Sequence, residues 1–158
     1  MPSHAPGPST AQAHAWAFRY APHLGYHSPA LPLFRHCAQS VSPTDQAEHV
    51  RSLGLHGVQY PWAVARPASE RASLAERLHN FGLACGCIAW APMDVLRTPL
   101  WIDKDSQARK TLKDHLEQAL QVALQMGSKI IAVLGAAEGS APLTEPHRRA
   151  MAENLRWA

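Results

Sequence analysis

One structural unit recurs along this chain, and it restricts the possible fold more than any other feature of the sequence. Each unit is an amphipathic helix, then a glycine, then a short apolar strand. In the first unit, Ser42-Pro43-Thr44-Asp45 combines a capping residue, a proline at the first helical position and an acidic residue in the first turn. Gly54 follows this helix where a left-handed residue is favoured, and residues 57–60 are the predicted strand.

Two further units follow in the same order. The second helix begins near Ser69 and ends at Gly82, before an apolar strand over residues 83–90. The third helix ends at Gly127, before residues 130–134, an unbroken apolar run typical of a strand buried on both faces. The residues predicted to face the core are Ala47, Val50 and Leu53 in the first helix, Ala72, Ala75, Leu78 and Phe81 in the second, and Leu112, Leu116, Ala119, Leu120 and Ala123 in the third.

The two ends of the chain add a first strand and a fourth helix to this alternation of helices and strands. Residues 16–21 alternate large and small side chains and stop at Pro22, which predicts a first strand. A fourth helix is predicted to begin near Thr144. Its predicted core face consists of Met151, Leu155 and Ala158. Four strands that alternate with four helices indicate an α/β fold with a parallel sheet.

Two arrangements can bury such a sheet. One is a small doubly wound parallel sheet. The other is a partial (β/α)8 barrel of about four β/α units, since the complete barrel needs about 250 residues. The fourth helix meets no glycine or proline stop and no closing strand, so we expect residues 16–158 to be the N-terminal half of a barrel, truncated in its fourth helix. Residues 1–15 are rich in proline, serine and alanine, which predicts a disordered tail.

Composition limits the classes of function. Hydrophobic residues make up 46% of the 158 residues and charged residues 17%, as in globular proteins. The formal charge of +3 arises from 15 basic and 12 acidic residues scattered along the chain, so we expect no nucleic-acid partner. No apolar run approaches the roughly 20 residues of a membrane span, so we expect no membrane partner. Cys37, Cys85 and Cys87 are an odd number without a secretory leader, which predicts reduced thiols in the cytoplasm.

In either arrangement, ligands bind at the carboxyl ends of the strands and in the loops that follow them. Polar and aromatic residues collect at these positions. The candidate substrate-binding residues are His23, Gln59, Trp62, Trp90 and Trp101, and we expect them to face a common cavity. For the three tryptophans, a place in the core or in an oligomer interface is the alternative interpretation.

Other chemical motifs are weaker. His23 and His27 have a spacing that could ligate a metal, but zinc sites need three or four ligands. Cys85 and Cys87 are predicted to lie on one face of a strand as buried thiols. Residues 135–139 could cradle a phosphate, yet they lack the spacing of the known phosphate loops. No catalytic residue is therefore predicted.

Several segments resemble the sugar phosphate isomerase/epimerase family, which has the xylose isomerase-like TIM barrel, and within it the hydroxypyruvate isomerase branch. The resemblance covers residues 16–158. The segments that carry it are Tyr20-Ala21-Pro22-His23-Leu24-Gly25, the junction over residues 53–59, Pro99-Leu100-Trp101, residues 126–131 and Ala152-Glu153-Asn154-Leu155-Arg156. The resemblance implies proton transfer between adjacent carbons of a sugar or hydroxy-carbonyl substrate. It also implies a divalent metal, Mg or Mn, bound by carboxylates with histidine or glutamine.

The sequence departs from that family in two respects. The metal-binding and acid–base glutamates of the family lie on strands five to eight, and nothing in residues 1–158 matches them. We therefore expect no metal site in this chain alone and no isomerase activity without a complementing C-terminal half. In addition, Gln59 stands where relatives often carry glutamate. The alternative function is that of a non-catalytic half-barrel, a binding or assembly module that self-associates through its open strand edges.

Overall fold

The computed structural model describes residues 18–136 and 141–158. The predicted tail over residues 1–15, the start of the predicted first strand and residues 137–139 of the glycine-containing loop lie outside these ranges. The helices are α1 (Pro43–Ser52), α2 (Ala68–Phe81), α3 (Ser106–Met126) and α4 (Glu145–Trp157), and three short 3-10 helices cover Ala63–Ala65, Val95–Arg97 and Pro99–Ile102. The strands are β1 (Gly57–Val58), β2 (Ala84–Cys85), β3 (Ile88–Ala89) and β4 (Ile131–Ala132). The predicted α/β class is confirmed.

All strand pairs are parallel among the described residues. β1 pairs with β2, with Gly57 beside Ala84, and β3 pairs with β4, with Ile88 beside Ile131. The segment before α1 also joins β1, because His23 forms a parallel bridge with Gln59. The predicted first strand stopped before Pro22, but the pairing continues to Leu24, whose N–H donates to the Gln59 carbonyl at 2.8 Å.

The paired segments lie side by side in the order in which they occur along the chain. The segment around His23 is beside β1, β1 is beside β2, and β3 is beside β4. A doubly wound sheet reverses its strand order near the first strand, whereas consecutive β/α units of a barrel do not. Among the described residues no such reversal occurs, which favours the barrel arrangement.

The predicted strand over residues 83–90 is two short strands, because the chain bends at Gly86 and Cys87. β2 pairs with one neighbour and β3 with the other. Cys85 and Ile88 both belong to the same hydrophobic cluster although they are three residues apart, so the alternation of side chains shifts by one residue. A shift of this kind is typical of a β-bulge. It also separates the two thiols, since Cys85 is buried and Cys87 is only half-buried.

The first hydrophobic cluster lies between the sheet and helices α1, α2 and α3. It contains Ala47, Val50, Val58, Tyr60, Leu74, Leu78, Ala119, Val122, Ala123 and Met126, among others. Three residues predicted for this core are exposed instead: Leu53, Ala72 and Leu120. Leu53 follows the last residue of α1, while α2 and α3 are rotated so that Leu74 and Val122 face the sheet.

The second cluster lies under α3 and α4. Its buried members are Ala89, Trp90, Ala91, Leu96, Trp101 and Leu112. The predicted core face of α4 is only partly correct: Met151 packs against this cluster, but Leu155 and Ala158 are exposed, whereas Ala150 and Asn154 are buried. The cause is a set of polar contacts: the Asn154 Nδ2 donates to the Trp101 carbonyl at 3.1 Å and to the Asp103 carbonyl at 2.7 Å. These bonds fix the rotation of α4 over the 3-10 helix at Pro99–Ile102.

The last strand is less buried than the sequence predicted. Ile130 is 61% exposed and Leu134 is 50% exposed, rather than covered on both faces. Within the described ranges, β4 pairs with β3 alone, so its other edge has no neighbouring strand there. In the same ranges, no helix is both long and apolar enough to cross a membrane.

Candidate functional site

Three adjacent residues form a row across the sheet at the carboxyl ends of its first strands. His23 is bridged to Gln59, and the Gly86 N–H donates to the Val58 carbonyl at 2.7 Å, which continues the β1–β2 register and sets Gly86 beside Gln59. The sequence neighbours Leu24, Val58, Tyr60 and Cys85 all belong to the first hydrophobic cluster. Side chains alternate along a strand, so this row, here called the mouth row, lies on the open face of the sheet, away from α1–α3.

The side chain of Gln59, the central residue of the mouth row, lies close to Gly86. A Cβ atom added at Gly86 would lie 3.0 Å from the Gln59 Cγ and 3.9 Å from the Ala21 Cβ. The Gln59 side chain therefore occupies the space that a larger residue would take in β2. Gly86 was not among the predicted site residues, although a glycine inside an apolar strand is a known signal of close approach.

His23 supplies a second hydrogen-bonding group in this row. Its ring is half-buried and meets the Tyr26 ring edge-on, with the centroids 6.1 Å apart. The His23 Nδ1 is buried and has no hydrogen-bond partner among the described residues. Most buried polar atoms in proteins are paired, so an unpaired one is a group whose hydrogen bond a polar ligand can supply.

The structure places four of the five predicted site residues in two separate pairs, and Trp62 belongs to neither. His23 and Gln59 lie side by side in the mouth row. Trp90 and Trp101 contact each other in the second cluster, with ring centroids 5.4 Å apart and exposures of 0% and 1%. Trp62 is half-buried and packs against the first cluster just after β1. Trp90 and Trp101 occupy core positions, and a substrate-binding role for the five residues stays a prediction.

A charged group holds the loop that follows β1. The Tyr60 hydroxyl donates to Glu70, and Arg66 donates to the same carboxylate through Nε at 2.8 Å and Nη2 at 2.5 Å. The Arg66 hydrogen bonds lower the pKa of Glu70, and burial together with Glu70 raises the pKa of Tyr60. Because the Glu70 carboxylate is engaged by these partners, it fixes the loop with Trp62 to α2 rather than serving as a free base.

No group of three or more His, Cys, Asp or Glu side chains that could hold a metal ion occurs in residues 18–136 and 141–158. His23 and Gln59 alone do not provide the ligand set that a divalent metal needs, so no chemical step is assigned to a metal here. Burial, with a smaller contribution from Cys87, raises the pKa of the Cys85 thiol to about 11, so this thiol is protonated at neutral pH.

Comparison with known proteins gives a fold and no family. No protein-family profile matches this chain, and no curated protein matches it. A similar solved structure is the AP endonuclease, family 2, from Brucella melitensis, a xylose isomerase-like TIM barrel, with a TM-score of 0.61 and 15% sequence identity. The match covers 88% of this chain and 48% of that one, so the chain spans about half the length of its neighbour. At such low identity, the similarity shows the fold alone.

Proposed function

We propose that this chain forms the first four β/α units of a xylose isomerase-like barrel and binds a sugar or hydroxy-carbonyl compound at its mouth row. Two findings support the partial barrel. The parallel segments follow one another in chain order, and a TIM barrel matches 88% of this chain over about half of its own length. The sheet edge at which the mouth row lies is the one where barrels of this type bind their ligands.

The observation that carries the proposed ligand class is the pairing of His23 with Gln59 on the open face. Imidazole and carboxamide groups both donate and accept hydrogen bonds, which matches the hydroxyl and carbonyl oxygens of a sugar-like molecule. The mouth row contains no Asp, Glu, Lys or Arg side chain. A neutral, hydroxyl-bearing part of the ligand therefore fits this row better than a phosphate or carboxylate group.

The proposed reaction is an isomerisation or epimerisation of the hydroxypyruvate isomerase type. In the isomerisation, a proton leaves the hydroxyl-bearing carbon and a proton is returned to the neighbouring carbonyl carbon, while the hydroxyl proton moves to the former carbonyl oxygen. In an epimerisation, a proton is instead returned to the opposite face of the carbon that lost it. No oxidant or reductant is consumed. His23 and Gln59 orient the two oxygens. The base would be supplied by a residue outside this chain, and residues outside this chain would hold the Mg or Mn ion of such a barrel. The chain alone is then inactive, and we propose that it acts in the cytoplasm.

A second candidate function is a non-catalytic half-barrel that assembles with a second copy or with a complementing C-terminal half. The supporting observation is the exposed apolar surface on either side of β4, where Ile130 and Leu134 are at least half exposed. Phe18, at the start of the segment that pairs with β1, is 72% exposed. An open strand edge with apolar side chains is a template for pairing with another chain.

The two candidates are separated by titrating the isotope-labelled chain with hydroxypyruvate and with xylitol while its NMR spectrum is recorded. Ligand binding at the mouth row shifts the His23 ring and Gln59 side-chain signals, and His23→Ala removes the effect. His79→Ala, on the exposed face of α2, is the matched control and leaves the titration unchanged. Absence of any shift, together with a dimer in sedimentation, would favour the assembly module. Solvent deuterium incorporation into hydroxypyruvate by the chain alone would contradict the proposed inactivity.

A further inference from the structure

We propose that Gly86 is a positioning residue of the mouth row: the absence of a side chain at this position provides the space in which the Gln59 side chain lies. The claim about geometry depends only on the described contacts. Its consequence for ligands rests on the function proposed above. A glycine inside an apolar strand such as residues 83–90 marks either a special backbone conformation or a close approach of another group.

Gly86 is not needed for an unusual backbone conformation. The glycines with positive φ are Gly25, Gly54, Gly82 and Gly127, and Gly86 is not among them. Any L-amino acid can adopt a negative φ, so the conformational freedom of glycine does not explain this position. The remaining reason for glycine is the space around its Cα atom.

That space is occupied by Gln59. A Cβ at Gly86 would lie 3.0 Å from the Gln59 Cγ and 3.2 Å from the Val58 carbonyl oxygen. Carbon atoms in contact prefer a separation of about 3.5–4.0 Å. One of the two residues must therefore move when a side chain is introduced at position 86.

The backbone of Gly86 is held and Gln59 is the residue that moves. The Gly86 N–H donates to the Val58 carbonyl at 2.7 Å, and the Ser128 hydroxyl donates to the Gly86 carbonyl at 2.5 Å. These bonds attach Gly86 to β1 on one side and to the segment before β4 on the other. The Gln59 Cγ must give way by a few tenths of an ångström, and rotation about the Cα–Cβ bond provides this shift. The same rotation displaces the carboxamide at the end of the side chain.

A methyl group at position 86 is therefore expected to redirect the hydrogen-bonding group of Gln59 without touching His23. If the mouth row binds a hydroxyl-bearing ligand, such a change weakens the ligand contact made by Gln59 and leaves the contact made by His23. Gly86 would thus determine which oxygen of the ligand can be recognised, although it makes no contact with the ligand itself.

The steric claim is tested by a double-mutant cycle in urea denaturation, with Gly86→Ala, Gln59→Ala and the double variant. We expect Gly86→Ala to lower the unfolding midpoint in the natural background and to lower it by less than half as much when Gln59 is already alanine. If Gly86→Ala lowers the unfolding midpoint equally with Gln59 present and with Gln59 replaced by alanine, the proposal is overturned, because the clash then lies with the Val58 carbonyl. If Gly86→Ala does not fold, folding of the double variant supports the proposal and failure of both variants contradicts it.

The positioning claim has a separate readout in the side-chain amide signals of Gln59. Gly86→Ala should move these signals, whereas Ala84→Ser, which adds one atom at an exposed place in the same strand, should leave them in place. Unmoved Gln59 signals in Gly86→Ala would overturn the proposal. In a xylitol titration, Gly86→Ala should weaken binding to the same extent as Gln59→Ala. If xylitol does not bind the natural chain, the proposed function fails, while the double-mutant cycle still decides the role of Gly86.

Discussion

The two faces of the sheet differ in both chemistry and burial. On the side of the helices, Val58, Tyr60, Ile88 and Trp90 are all 0% exposed. On the open face, the mouth row carries an imidazole, a carboxamide and a glycine. The helix side is closed by large apolar side chains, and the open face keeps small and polar groups at the carboxyl ends of the strands. Stability is therefore expected to reside on one face and ligand binding on the other.

This difference leads to a ranking of substitutions. A change on the helix side should lower the free energy of unfolding strongly, whatever it does to binding. Truncation of a mouth-row side chain, His23 or Gln59, should affect binding with little effect on unfolding. The following experiments can contradict that division, beginning with the largest expected change in the free energy of unfolding.

Trp90→Ala is expected to have the largest effect. Trp90 contacts the rings of Trp101 and His115, with centroid distances of 5.4 Å and 5.8 Å, and its side chain has no exposed surface. Removing a buried tryptophan costs about 3–5 kcal/mol of unfolding free energy. Urea denaturation measures this loss, and Trp157→Ala, at a residue 44% exposed, serves as the control. Equal effects of the two substitutions would show that the second cluster is not a stabilising core.

Asn154→Ala should have the next largest effect, because this side chain joins α4 to the rest of the molecule. It donates to the Trp101 and Asp103 carbonyls and accepts a hydrogen bond from the Arg109 Nε at 3.1 Å. Leaving two carbonyls without their donor costs about 2–4 kcal/mol. Amide hydrogen exchange should show faster exchange along α4. The exposed Arg156→Ala is the control, and unchanged exchange in Asn154→Ala would contradict this role.

A smaller effect is expected for the group that attaches the loop after β1 to α2. The Arg66 hydrogen bonds hold the pKa of Glu70 below its ordinary 4.5, so Glu70 stabilises the folded state at pH values above 4.5. That contribution is lost as the pH falls through the folded-state pKa. The free energy of unfolding, measured over a series of acidic pH values, should therefore fall more steeply for the natural chain than for Glu70→Gln. Identical profiles would mean that the carboxylate does not act through Arg66.

The helices were the most predictable part of this fold. Caps and glycine stops located both ends of α1 and α2 and the end of α3 to within one or two residues, because these signals are local in the sequence. The rotation of α4 was not predictable, since it depends on Asn154 and on carbonyls some fifty residues away. A polar residue on the buried face of a helix gives no hydrophobic signal.

The candidate site was only partly predictable from the sequence. His23 and Gln59 were found because each lies at or just after the carboxyl end of a predicted strand, and the structure places them side by side. Trp90 follows the same rule, yet it points to the helix side, since the shift in alternation between β2 and β3 reverses the face that it presents. Trp101 lies in the 3-10 helix at Pro99–Ile102, where strand alternation does not apply, and it packs against Trp90 in the second cluster. The irregularity at Gly86 and Cys87 depends on pairing with two different strands, which a single strand pattern does not reveal.

The smallest change in stability is expected for Gln59→Ala, in the centre of the mouth row. Gln59 is half-buried, and its backbone bonds to Pro22 and Leu24 survive the substitution. Truncation of such a side chain should change the free energy of unfolding by no more than about 0.5 kcal/mol. Val58→Ala, one residue earlier and on the helix side, is the matched comparison, and its fully buried side chain should cost several times more. If Gln59→Ala unfolds the chain as readily as Val58→Ala does, the open face contributes to the core. Such a result would remove the physical basis for assigning ligand binding to the open face and stability to the other.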